Sequence, residues 1–145
     1  MNIYNYLKKD HLIVLELFDK ILSTKSLDKR KAFFQEVGNE LLLHAETENK
    51  TFYAALEEYK ETAELIDHAI QEHEEVKDYI TKLSAISVES EKWLEQFGEL
   101  KHSVTHHVKE EESDIFKRAK NILSTAQANQ LAVDMAKLKD ELRSS

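Results

Sequence analysis

The segment Phe34-Gln35-Glu36-Val37-Gly38-Asn39-Glu40-Leu41-Leu42-Leu43-His44-Ala45-Glu46-Thr47-Glu48-Asn49-Lys50-Thr51-Phe52 decides the fold. Phe34, Val37, Leu41, His44, Glu48, Phe52 and Ala55 recur at spacings of three and four, which places them on one stripe of an α-helix. Nothing in the segment alternates as a half-buried strand would. The stripe is apolar except at His44 and Glu48, one turn apart. A buried glutamate without a partner costs several kcal/mol or is forced neutral, so something in the core must meet it.

Working outward, the whole chain reads as helix. A first helix runs from about Ile3 to Ser23, with Leu7, His11, Val14, Phe18 and Ile21 on its stripe. Ser23-Thr24-Lys25-Ser26 ends it, and Ser26 caps the second helix, which reaches about Glu58. The third spans about Thr62 to Ser84, with Ile66, Ala69, His73, Val76, Ile80 and Leu83 inward. The fourth spans about Glu89 to Ile122, with Phe97, Leu100, Val104, His107, Glu111 and Ile115 inward. Ser124 or Thr125 caps a last helix ending near Leu142. The expectation is all-α: an up-down-up-down four-helix bundle over about 3–122 with an additional C-terminal helix over about 124–143, forming a single domain across 1–145.

Composition narrows the chemistry. With 145 residues, no cysteine, no proline and two glycines, the chain offers no disulfide framework, thiolate metal site or Gly-rich phosphate loop. The longest apolar run, Phe52-Tyr53-Ala54-Ala55-Leu56, falls far short of the ~20 residues of a membrane span, and Met1 to Asp10 lacks a signal-peptide core. A soluble, cytoplasmic protein is expected. A net charge of −8 argues against nucleic-acid partners, which need a basic face.

Each of the four bundle helices turns a histidine inward, and two add a carboxylate. His44 and Glu48 on the second helix match His107 and Glu111 on the fourth, while His11 and His73 stand alone on the first and third. The six residues form an internal repeat. His11 and His44 are 33 positions apart, His73 and His107 are 34 apart, and an acidic residue (Asp10, Glu72) precedes each lone histidine. Two related helical hairpins would bring these groups to one level of the core. Four imidazoles and two carboxylates converging there suit a metal centre, with carboxylates able to bridge two ions ~3.5–4 Å apart. The candidate metal ligands are His11, His44, Glu48, His73, His107 and Glu111.

This ordered set resembles the hemerythrin-like, HHE cation-binding family. The resemblance rests on His11, His44-x-x-x-Glu48, Glu72-His73 and His107-x-x-x-Glu111-Glu112-x-x-Ile115-Phe116, and it covers Tyr4 to about Arg118. It implies a four-helix bundle holding two non-haem iron ions, with manganese or zinc as alternatives, joined by an oxo, hydroxo or water bridge. It also implies O₂ or another small diatomic or peroxide as ligand, for sensing, storage or delivery, with any signalling partner unidentified. The alternatives are an enzyme that reduces or dismutates peroxide or nitric oxide, and a module whose metal is structural. Classical O₂-carrying members place a histidine pair one turn apart on the third helix. Here Ala69 and Lys77 flank His73 at those positions, which implies an open coordination position. No N-terminal cysteine segment of the kind found in iron–sulfur repair members is present.

His68 and His102 fall about 140° from their stripes and read as surface or boundary residues. His106, about 100° off, is the main rival to His107. Glu99-Leu100-Lys101-His102 forms a single ExxH pattern off the stripe and reads as coincidence. Tyr4, Tyr6 and Trp93 read as packing residues.

Overall fold

The computed structural model describes residues 1–145 and contains no strand. Helix α1 spans Ile3–Ser23 and α2 spans Leu27–Glu48. A π-helical turn, Asn49–Tyr53, carries α2 on into α3, Ala54–Glu57. Helix α4 spans Ala63–Ser84 and α5 spans Glu91–Glu110. A second π-helical turn, Glu111–Ile115, carries α5 on into α6, Phe116–Ile122, and α7 spans Thr125–Ser144. The rods α1, α2–α3, α4 and α5–α6 form the up-down-up-down bundle. Helix α7 lies outside it, against α1, α2 and the first π turn.

Local chemistry accounts for the boundaries. The side chains of Asn2, Ser26 and Ser90 accept the backbone N–H of Asn5, Lys29 and Lys92, so three helix starts have donors satisfied. Ser124 and Gln127 form a reciprocal capping box at the start of α7. Thr62 acts differently: its buried hydroxyl donates to the Leu56 carbonyl at 2.6 Å and locks the turn from α3 into α4.

Two apolar clusters form the core, with the histidines and glutamates between them. At one end Ile3, Leu7, Phe52, Tyr53, Leu56, Ile66, Ile115, Phe116 and Met135 pack together. At the other, Val14, Phe18, Ile21, Val37, Ile80, Trp93, Phe97 and Val104 do so. Along each rod the order is the same, as in Leu7, His11, Val14 on α1 and Ala69, His73, Val76 on α4. The inward stripes therefore hold, with one change. Leu56 is fully buried where the sequence places Ala55, which is half-buried. The π turn adds one residue after Glu48 and shifts the stripe.

Trp93 anchors the second cluster, stacked on Phe97 at 5.1 Å and edge-on to Phe34 at 5.5 Å between centroids. Trp93→Ala should lower stability by about 3–5 kcal/mol in urea unfolding. The polar layer lies beyond this cluster, so metal content of the folded variant should be unchanged.

Candidate metal centre

His11, His44, Glu48, His73, His107 and Glu111 are all buried, and the two carboxylates are wholly so. The fold brings all six to one level. Neighbouring imidazoles lie close, with centroids 5.2 Å apart for His11–His44, 6.3 Å for His44–His73 and 4.8 Å for His73–His107.

Every imidazole is held through Nδ1. Asp10 Oδ2 lies 2.9 Å from His44 Nδ1, and Glu72 Oε1 lies 2.8 Å from His107 Nδ1. Glu112 Oε2 lies 2.7 Å from His11 Nδ1, and Asn49 Oδ1 lies 2.8 Å from His73 Nδ1. These partners are acceptors, so each Nδ1 is the protonated nitrogen and each Nε2 presents a lone pair. Four residues adjacent in sequence to the candidate ligands thus orient the four rings. Asp10 and Glu72 act within their own hairpins, whereas Asn49 and Glu112 reach across to the other.

The inward atoms face one another without bonding. His11 Nε2 is 3.2 Å from Glu111 Oε1, and Glu48 Oε1 is 3.3 Å from His44 Nε2 and 3.1 Å from His73 Nε2. None of these contacts has hydrogen-bond geometry. His11, His44 and His73 Nε2, both Glu48 oxygens and Glu111 Oε1 are buried without a hydrogen-bond partner. Orphaned buried groups are costly, and six lone-pair atoms aimed at one region are what a cation requires. Three groups bring donor atoms within 4.8 Å of one another: His11, His44 and Glu111; His44, Glu48 and His73; Glu48, His107 and Glu111. The groups share His44, Glu48 and Glu111, so the donors form one continuous set with room for more than one arrangement of cations.

Burial and neighbouring charges shift the proton affinities of these groups. Burial alone would lower His44, but the charge of Glu48 and hydrogen bonding to Asp10 raise it to about 10. His107 is also raised: burial opposes this, and hydrogen bonding to Glu72 with the charge of Glu111 outweighs it. His73 is lowered, chiefly by burial and with help from its neighbours His107 and His44, against the pull of Glu48. Burial would raise Glu48, Asp10 and Glu72, yet the imidazoles beside each hold all three below the usual carboxylate range, and Lys139 helps Asp10.

Two residues at the site lie outside the sequence expectation. The Tyr53 hydroxyl donates to Glu111 Oε2 and lies 3.3 Å from His107 Nε2. Its ring stacks on His73 at 5.3 Å, and burial together with the Glu111 charge pushes its pKa well above the usual phenol value. Tyr53 follows Glu48 by five residues, the spacing a π turn aligns, and Phe116 follows Glu111 likewise. The repeat of His44 to Tyr53 with His107 to Phe116 was the available signal. Lys139 of α7, buried, donates to Asp10 and thereby fixes the residue that orients His44. No periodicity could mark it, because its partner is 129 positions away. Of the remaining histidines, His68, His102 and His106 are exposed; His106 does not border the core.

Residues 2–119 match the hemerythrin HHE cation-binding domain model. The chain belongs to the hemerythrin HHE cation-binding family. Over 99% of this chain and 88% of the other, it superposes with a TM-score of 0.87, at 26% identity, on the crystal structure of a hemerythrin HHE cation-binding domain-containing protein from Mycobacterium kansasii. It is 28% identical over 146 residues to a DNA nickase of Nostoc sp., covering 99% of this chain and 40% of that protein. The chain thus spans about two fifths of the length of that relative.

His107→Ala should lose at least one of the ions held by the buried donors, while His102→Ala should keep the native metal-to-protein ratio. Lys139→Met should destabilise the fold by roughly 1.5–3 kcal/mol, the range for losing one hydrogen bond to a charged group, since it leaves the partly buried Asp10 with His44 as its remaining partner, measured by thermal and urea unfolding.

Proposed function

We propose that the chain holds two non-haem iron ions at this centre and reacts there with O₂ or a related diatomic. A cavity of about 30 Å³ beside the histidines carries this reading. Val14, Leu41, Val76 and Val104 wall it, and His11, His44, His73 and His107 line its other side. That space admits roughly one or two water-sized groups. It suits O₂, nitric oxide or peroxide and excludes larger substrates.

The donor set supports iron. Imidazole nitrogens mixed with carboxylate oxygens suit iron, zinc, copper and nickel, and shared carboxylates favour a pair. Two iron ions with an open position would supply reversible electron transfer and a place for a small ligand. The chain supplies the rest. Asp10, Glu72, Glu112 and Asn49 fix the imidazole tautomers, the valines exclude bulk water, and Tyr53 keeps a hydroxyl proton at Glu111.

Tyr53 favours a second reading, reduction or dismutation of peroxide or nitric oxide at the same centre. Reduction of peroxide consumes protons, and the phenol holds one beside the donor atoms. Tyr53→Phe should keep the metal and lower such turnover. The activity of the Nostoc relative is not carried over: a net charge of −8 disfavours a phosphate backbone. The proposed partner is a small molecule, not a nucleic acid.

Purified protein should contain about two iron ions per chain when loaded, and acid should release them because the ligands must be deprotonated. The reduced protein should react with O₂ and end oxidised, without a long-lived oxy spectrum. Val104→Leu, which fills the cavity, should slow that reaction at unchanged metal content. A stable oxy spectrum that reverses when O₂ is removed would make the protein a carrier; folded protein that takes up no metal would end the proposal.

A further inference from the structure

A second cluster of metal-binding side chains lies on the outside of the bundle, in the groove between α4 and α5. His68 and Glu72 stand one turn apart on α4, and His106 and Glu110 stand one turn apart on α5. Antiparallel packing sets the pairs face to face. His68 Nε2 is 3.6 Å from Glu72 Oε2 and 3.9 Å from Glu110 Oε2, and His106 Nε2 is 3.0 Å from Glu110 Oε1. Donor atoms of His68, Glu72 and Glu110 all lie within 4.8 Å of one another. Donors bound at about 2.0–2.2 Å to one ion are separated by somewhat less than this, so small side-chain rotations bring them onto a common centre.

We propose that this cluster is a surface site for one divalent transition-metal ion of the zinc or ferrous class, separate from the buried centre. Ion pairing does not account for the arrangement. Exposed histidine–carboxylate contacts contribute little to stability. Mixed nitrogen and oxygen donors select transition metals over magnesium and calcium, which prefer oxygen alone. The side chains of His68 and His106 are 59% and 56% exposed, so an ion reaches them without any opening of the bundle. Glu72 is the exception in being mostly buried. Its Oε2 faces His68, while its Oε1 accepts from His107 Nδ1 at 2.8 Å. One carboxylate thus separates the outer cluster from the inner one.

Equilibrium dialysis of the full chain against Co²⁺ or Zn²⁺, after the buried centre has been saturated, tests the site. The variants are His68→Ala and the double variant His68→Ala with His106→Ala; neither residue belongs to the buried set, and both are exposed enough to leave folding intact, which circular dichroism checks. Native protein should bind one more ion per chain than the double variant, and His68→Ala alone should weaken that ion at least tenfold. Equal ion counts and equal affinities in native protein and double variant would overturn the proposal. The readout is a difference, so it stands whatever the buried centre holds. Failure of the two-iron reading would change the total in both proteins alike, and failure of the surface site would leave no difference between them.

Discussion

Two carboxylates, Glu48 and Glu111, are buried completely in the middle of a helical bundle, and the rest of the structure is arranged around that cost. Each sits on an inward stripe, so no side-chain rotation can return it to water. Imidazoles from all four rods face them, but a neutral imidazole meets a carboxylate well only if its protons are correctly placed. The acceptors at Nδ1 fix those protons away from the carboxylates and leave lone pairs facing lone pairs. Such lone pairs repel one another unless a positive charge sits among them, either as a proton on His44 or as a cation.

The two hairpins solve this problem in parallel. In each, the residue before the lone histidine orients the histidine of the partner helix, and the residue after the glutamate orients the lone histidine of the other hairpin. The π turns also repeat, one beginning just past Glu48 and the other at Glu111 itself. Thr51 and Ser113 donate side-chain hydrogen bonds to the carbonyls of Thr47 and Lys109, four residues back, where the regular ladder is interrupted. Symmetry breaks at three places. Asn49 stands where Glu112 does, Tyr53 where Phe116 does, and Lys139 has no counterpart. All three make the two ends of the centre chemically unequal.

The rods, their caps and the inward position of the six polar residues were legible in the sequence because each follows from a period of three or four residues or from a capping side chain. His107 was separable from His106 for the same reason: Val104, His107 and Glu111 share a face. The π turns were not legible. They insert one residue into an otherwise unbroken helix, and the shift from Ala55 to Leu56 is their only trace in the hydrophobic pattern. Nor could the sequence place Lys139, whose partner lies across the bundle, and Tyr53 left a trace only in the repeat of its spacing from His44. The outer cluster is not legible in the sequence because His68 and His106 each lie off the inward stripe of their own helix. The feature that matters is a pairing between helices, and no single-helix argument contains it.

Charge distinguishes what can occupy the buried centre. With its imidazoles neutral, the layer carries Glu48 and Glu111 inside and Asp10, Glu72 and Glu112 around them, five negative charges, against the single positive charge of Lys139. The remainder is four negative charges. The two proposed ions would balance it if each were divalent. One divalent ion leaves two charges uncompensated in a medium where that is costly. The acidic residues that orient the histidines therefore also add to the negative charge that the proposed ions would balance.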